Sequence, residues 1–312
     1  MQPSTTQGAT RPSWPVIVWQ AIRPRTLPLS LSPVLAGSVV GWVETGTARL
    51  DISLTAALSA AAIQIGTNLQ NDAADTVNET DSAERVGPVR VTERGWLSPR
   101  QVMGAAYAAF ALAVLCGAYL VALGGVPILI LGLLSVLAGY AYSGGPFPIS
   151  RGPLGELFVI GFFGLVAVGG VVYLYSGGVS PPALLMGTVV GLPAAAVLLV
   201  NNLRDREGDR AAGRRTLAIL LGPTGAMALF GALLAGVAVG LLGFVALGVP
   251  WSGAALGLAA LPLGVRIWRT LMTTADPAAY NACLARTGIF QLGIVVAAAA
   301  GLIAATYLHG LP

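Results

Sequence analysis

Apolar runs long enough to cross a bilayer, about 20 residues each, recur from one end of this 312-residue chain to the other. Inside hydrocarbon every backbone N–H and C=O must be satisfied within the protein, which leaves helices or a closed barrel. The runs are continuous rather than alternating, and so predict helices. About nine are expected, centred near Leu35, Ala61, Leu112, Leu133, Val166, Val190, Leu234, Leu258 and Val296. With 55% hydrophobic and 10% charged residues, against about a quarter charged in a soluble domain, a soluble class is excluded. The expected class is an all-α integral membrane protein.

The basic residues orient such a bundle, because short positively charged loops are retained in the cytoplasm. All of them are arginine. Arg11, Arg23 and Arg25 precede the first span; Arg85, Arg90, Arg94 and Arg100 follow the second; Arg151 follows the fourth; Arg204, Arg206, Arg210, Arg214 and Arg215 follow the sixth; Arg266 and Arg269 close the eighth. These lie on one side of an odd-numbered bundle, with Arg49 on the other. The reading puts the N-terminus in the cytoplasm and the C-terminus outside a cytoplasmic membrane. The same asymmetry accounts for the net charge of +4, so no nucleic-acid partner is expected. Cys116 and Cys283 lie in apolar stretches without a metal-ligand pattern and read as small core residues.

Residues 1–13 read as a polar, disordered tail, and 14–312 as a single transmembrane domain. Trp14 to Ile22, with Trp14 and Trp19 followed by Arg23-Pro-Arg25, predicts a short interfacial helix with aromatic anchors at headgroup depth.

Two polar stretches, Asn68 to Gly95 and Asn201 to Gly222, hold most of the acidic side chains. If the spanning helices continue into them, Asn68, Asp72 and Asp75 share one helical face, as do Asn202, Asp205 and Asp209. Carboxylates stacked this way repel one another unless a cation joins them. Oxygen-only ligation suits a hard ion such as Mg²⁺, which also takes phosphate oxygens from a substrate; the absence of nearby histidine or cysteine argues against zinc. Asp205 follows Asp72 by 133 positions, which reads as a degenerate internal repeat. A paired clamp would gather roughly seven negative charges from four aspartates and a diphosphate, offset by two divalent ions and arginines. Arg85, Arg90, Arg204, Arg210, Arg214 and Arg215 are the candidate phosphate donors. Solvated cytoplasmic loops are the plainer reading, but they do not explain asparagine recurring ahead of the aspartates, or carboxylates at a membrane boundary.

These motifs resemble the UbiA superfamily of intramembrane prenyltransferases, which carry Asp-rich motifs after helices two and six. The likeness runs from Arg23 to the ninth span. RPRTLP at Arg23 to Pro28, NDAAD with ERVGPVR at Asn71 to Arg90, YSGGPFP at Tyr142 to Pro148, GELFVIGFFGLVAV at Gly155 to Val168, NNLRD with GRRTLA at Asn201 to Ala218, and Asn281 with Thr287 are similar to the branch that prenylates 1,4-dihydroxy-2-naphthoate in menaquinone synthesis. Ala73 stands where that branch often has an aromatic, and Arg214 and Arg215 where a lysine is common.

The resemblance implies nine helices around a central cavity, open sideways to lipid for the prenyl tail. It implies Mg²⁺, with Mn²⁺ as a substitute, held by Asp72, Asp75, Asp205 and Asp209 with Asn68 and Asn202. Asn71 and Asn201 join the substrate-binding set. Arg23 and Glu156 are placed around the aromatic acceptor, and Tyr140 and Tyr142 along the cavity. The implied reaction is prenyl transfer from a polyprenyl diphosphate with loss of CO₂, giving demethylmenaquinol. Another aromatic acceptor (4-hydroxybenzoate, homogentisate) or a phytyl donor remains an alternative. So does a secondary transporter, whose sites would lie near the bilayer midplane.

Overall fold

The computed structural model describes residues 11–77, 90–143, 148–274 and 276–310, without the side chains of 74–77, 139, 140, 143, 277 and 278. Arg85 and nearly all of the tail expected at 1–13 lie outside them. Among the described residues there is no strand, and eight helices are long and apolar enough to cross a membrane.

Helix α1, Trp14–Ile22, forms where the short helix was expected; it buries Ile17 and Ala21 and exposes Trp14 and Trp19. Arg23 then turns the chain with a positive φ of 51°, and a 3₁₀ turn, Pro24–Thr26, leads into α2, Leu27–Thr45. Helix α3, Leu50–Val77, carries the first acidic face on unbroken helix.

Helix α4, Pro99–Ser143, has 45 residues. Straight, it would run about 67 Å against a hydrocarbon core of about 30 Å. It breaks instead at Gly125, where φ is 67° and ψ −153°, two residues before Pro127. The spans expected at Leu112 and Leu133 are its two halves. Their surfaces expose Val114, Leu115, Val136 and Leu137, as lipid-facing helices do.

Helix α5, Gly155–Val159, passes through a π-helical stretch, Ile160–Val166, into α6, Ala167–Ser176. Helix α7, Pro181–Arg204, begins on Ser180, whose Oγ accepts from the Ala183 N–H, with Pro181 at the first turn. A turn at Asp205 leads to α8, Arg206–Ala211, and then α9, Leu217–Ala246. A 3₁₀ stretch, Trp251–Ala260, continues into α10, Leu261–Thr273, and α11, Pro277–Leu308, closes the chain.

The most deeply buried span is α7, packed against α2, α5, α9 and α11. Small residues set that packing: a Cβ on Gly164 would come within 2.3 Å of the Gly187 carbonyl oxygen and 2.9 Å of the Gly191 Cα. Backbones so close hold the α5–α6 span in fixed register along α7. The start of α5 thereby meets the end of α7.

Candidate active site

The ends of α3 and α7 carry two hydrogen-bonded clusters. In the first, Asn68 donates through Nδ2 to the Ile22 carbonyl at 3.2 Å and to Thr26 Oγ1 at 2.9 Å, tying α3 to the turn that holds Arg23. One helical turn on, Asp72 is fully buried. Its Oδ2 accepts from the Val91 N–H at 3.0 Å and its Oδ1 from the Thr92 N–H at 3.2 Å and from the Thr92 hydroxyl, with Arg23 Nη2 at 4.0 Å. Both of its oxygens thus anchor residues 91 and 92. Arg90 is buried in the same place, and Asn71 is exposed. The Asp75 backbone lies on α3, but its side chain is not among those described.

In the second cluster the helix does not continue straight through the acidic face, because Asp205 takes a non-helical turn between α7 and α8. Arg204 explains the local order. Its Nε and Nη2 donate to Asp205 Oδ1 and Oδ2 at 2.7 and 2.6 Å, Nη2 also reaches Asn201 Oδ1 at 2.9 Å, and Nη1 reaches Asn281 Oδ1 on α11 at 2.8 Å. A guanidinium so engaged braces the cluster. Asp209 pairs with Arg214 at 2.9 Å, and Arg210 lies 3.8 Å from Glu207. Burial raises the Asp209 carboxyl above the usual range, with Arg214 opposing the shift and Asp205 adding to it. Arg215 is exposed, with no carboxylate partner among the described residues; its N–H donates to the Arg151 carbonyl at 2.7 Å.

A third group joins these elements. Glu156 is buried at the start of α5 and accepts from Asn202 Nδ2 at 3.1 Å. Tyr142 tilts onto Phe158 with ring centroids 5.4 Å apart, and Phe158 stacks on Phe162 at 4.4 Å. Helix α11 borders both main clusters, through Asn281 on one side and on the other through Gly288, whose Cβ would lie 3.8 Å from the Arg25 carbonyl. Among the described residues no three His, Cys, Asp or Glu side chains are grouped to hold a metal by themselves. Sequence reasoning did not foresee Thr92 as partner of Asp72, nor the bracing of Arg204 by Asn281, 77 positions away; no local pattern signals either.

Comparison with known proteins places these features. Residues 30–289 match the UbiA prenyltransferase family. The chain is 35% identical over 276 residues to the 1,4-dihydroxy-2-naphthoate octaprenyltransferase of Escherichia coli K12, spanning 86% of this chain and 89% of that one. It is 37% identical over 246 residues to the enzyme of the same name from Mycobacterium tuberculosis, spanning 78% and 82%. Among solved structures, a UbiA homologue from Aeropyrum pernix K1 superposes with a TM-score of 0.63 at 19% identity, over 88% of this chain and 97% of that one. A homologue from Archaeoglobus fulgidus bound to GPP and Mg²⁺ superposes with a TM-score of 0.58 at 19% identity, over 92% and 99%. With the family match spanning most of the chain and the helical fold shared, this integral membrane protein belongs to the UbiA prenyltransferase family.

Proposed function

We propose that this chain transfers a polyprenyl group from a polyprenyl diphosphate to 1,4-dihydroxy-2-naphthoate, with loss of the carboxylate as CO₂, giving demethylmenaquinol. The observation that carries the reading is that relatives matched over most of the chain, from Escherichia coli, Bacillus subtilis and Mycobacterium tuberculosis, are named 1,4-dihydroxy-2-naphthoate octaprenyltransferases. The chain works in the cytoplasmic membrane with its N-terminus and polar clusters in the cytoplasm, a reading supported by the arginine asymmetry.

The donor set fits a hard divalent cation: carboxylates and amides only, with a buried Asp209 beside Asp205. Mg²⁺ usually keeps waters and takes one or two protein carboxylates plus substrate phosphate oxygens, which suits a site without a three-acid cage. Asp75, Asp205 and Asp209, with Asn68 and Asn202, would hold Mg²⁺ or Mn²⁺, and Asp72 anchors the segment beside them. When bound, the ion supplies Lewis-acid stabilisation of the leaving diphosphate. The UbiA homologue solved with GPP and Mg²⁺ supports this reading.

The chain's own residues do the rest. Arg215, together with Arg210, Arg214, Arg85 and Arg90, donates to diphosphate oxygens and offsets their charge. Arg204 holds Asp205 and Asn201 in place. The surrounding apolar helices exclude water, so the allylic carbon meets the ring before it meets hydroxide. The bond from that carbon to the diphosphate oxygen breaks with its electron pair leaving on the diphosphate. The ring carbon bearing the carboxylate forms the new C–C bond, and departure of CO₂ restores the aromatic ring.

Purified protein given carboxyl-labelled 1,4-dihydroxy-2-naphthoate, octaprenyl diphosphate and Mg²⁺ should release labelled CO₂ and diphosphate in equal amounts. A prenylated product that keeps the label would refute decarboxylation. Preference for 4-hydroxybenzoate or homogentisate would refute the acceptor.

A further inference from the structure

Helix α10 has one face in the bundle and one turned outward. Gly264, Ile267 and Leu271 are buried, and a Cβ on Gly264 would lie 2.8 Å from side-chain atoms of both Leu234 and Phe290. The Trp268 indole donates to the Met227 carbonyl of α9 at 2.8 Å and fixes the helix about its axis. Pro262, Val265, Arg266 and Arg269 are thereby left on the opposite face. Together with Leu258 and Leu261 they line an open groove of about 550 Å³.

The two ends of the groove differ. The 3₁₀ stretch before α10 meets α11 where a Cβ on Gly253 would lie 2.2 Å from the Gly301 carbonyl oxygen, about 30 Å along α11 from Asn281. The other end of α10 reaches the acidic clusters: Leu271 and Met272 share a cavity wall with Leu203 and Arg204. The groove thus runs toward the cluster-bearing face of the bilayer, apolar at Leu258 and Leu261 and cationic at Arg266 and Arg269. Its length along the helix axis is about 18 Å, near the half-thickness of a hydrocarbon core, about 15 Å.

Arg266 and Arg269 are exposed and one helical turn apart, and their guanidinium groups have no hydrogen-bond or carboxylate partner among the described residues. Arg266 stands about 10 Å short of the Thr273 end of α10. A lipid-facing cation at that depth is costly unless water or an anion reaches it, and the arginine stem makes up only part of the distance to the surface. The anion abundant there is lipid phosphate, whose oxygens the planar guanidinium fork fits two at a time. A zwitterionic headgroup also brings an ammonium, which the same two arginines repel; an anionic headgroup does not.

We propose that this groove is a binding site for an anionic glycerophospholipid of the cluster-side leaflet, its phosphate held between Arg266 and Arg269 and one acyl chain laid along Leu258, Leu261 and Val265. The site is separate from the clusters on α3 and α7 and does not depend on the reaction proposed above.

The test is native mass spectrometry of the purified full-length protein in detergent, titrated with phosphatidylglycerol or with phosphatidylcholine of the same acyl chains. Wild type should hold one phosphatidylglycerol about tenfold or more tightly than phosphatidylcholine. Arg266→Gln combined with Arg269→Gln should erase that preference, whereas Arg94→Gln combined with Arg100→Gln, which removes two charges elsewhere, should keep it. Val265→Trp, which fills the groove and leaves both arginines, should weaken phosphatidylglycerol binding severalfold. A wild-type melting temperature in lipid-free detergent shows that each variant is folded; if the Arg266 and Arg269 double variant does not fold, Arg269→Gln alone should lose about half of the preference on a logarithmic scale. Equal affinity for the two lipids, or undiminished binding in Val265→Trp, would overturn the site. So would equal losses in both double variants, since overall charge would then be what attracts the lipid. Displacement of phosphatidylglycerol by millimolar inorganic phosphate would overturn it as well, because a free anion would then be the ligand.

Discussion

Replacing Asp72 by asparagine exchanges an acceptor oxygen for an NH₂ group facing the Val91 and Thr92 N–H donors. That conflict costs about 1–3 kcal/mol, so Asp72→Asn should lose both thermal stability and activity. Asp205 is partly exposed, and Asp205→Asn should lower turnover about 100-fold or more with little change in melting temperature. Thermal unfolding beside turnover for both variants separates anchor from clamp; equal stability losses would erase the distinction. Lysine cannot reproduce the fork that Arg204 extends to Asp205, Asn201 and Asn281. Arg204→Lys should therefore weaken Mn²⁺ binding, read by electron paramagnetic resonance, about tenfold or more, and Asn281→Ala should do so to a smaller degree. Burial raises the Asp209 carboxyl, so it takes up its proton at a higher pH than a free aspartate does. Cation affinity should accordingly fall as the pH is lowered toward that range, and Asp209→Asn should remove this part of the dependence.

At the scale of elements, the α5–α6 span and α7 meet backbone to backbone. A Cβ on Gly191 would lie 2.8 Å from the Ile160 carbonyl oxygen, where nothing flexible can give way. Gly191→Ala should destabilise the protein by about 1–3 kcal/mol and carry Glu156 away from Asn202, lowering both folded yield and turnover. Deleting one residue within Ile160–Val166 would turn everything before it by about 100° around the helix axis. Span length and hydropathy would survive, but turnover should not. Much of this architecture was legible beforehand. The apolar runs located the spans, the two halves of α4 among them, and Trp14 to Ile22 announced α1. The π stretch was not legible, because it changes hydrogen-bond phase without changing composition. Nor was the brace on Arg204, which depends on Asn281 arriving from a different helix, nor the capture of Asp72 by residues 91 and 92, which lie 19 and 20 positions away.

For the whole molecule, sidedness can be read by labelling, because the native Cys116 and Cys283 are both buried. A cysteine at exposed Glu93 should react with a membrane-impermeant maleimide only after the inner face is opened, and one at exposed Thr47 should react from outside; the reverse pattern would invert the orientation. The break at Gly125 bears on the same question through parity. A straight α4 would make one crossing, giving an even total and both termini on one side of the bilayer. If the break divides it into two crossings, the total becomes odd and Leu308 would emerge on the face opposite Trp14. A C-terminal alkaline phosphatase fusion should therefore be active and a C-terminal green fluorescent protein fusion dark, so that the address of Leu308 would depend on the backbone angles of one glycine 183 residues earlier.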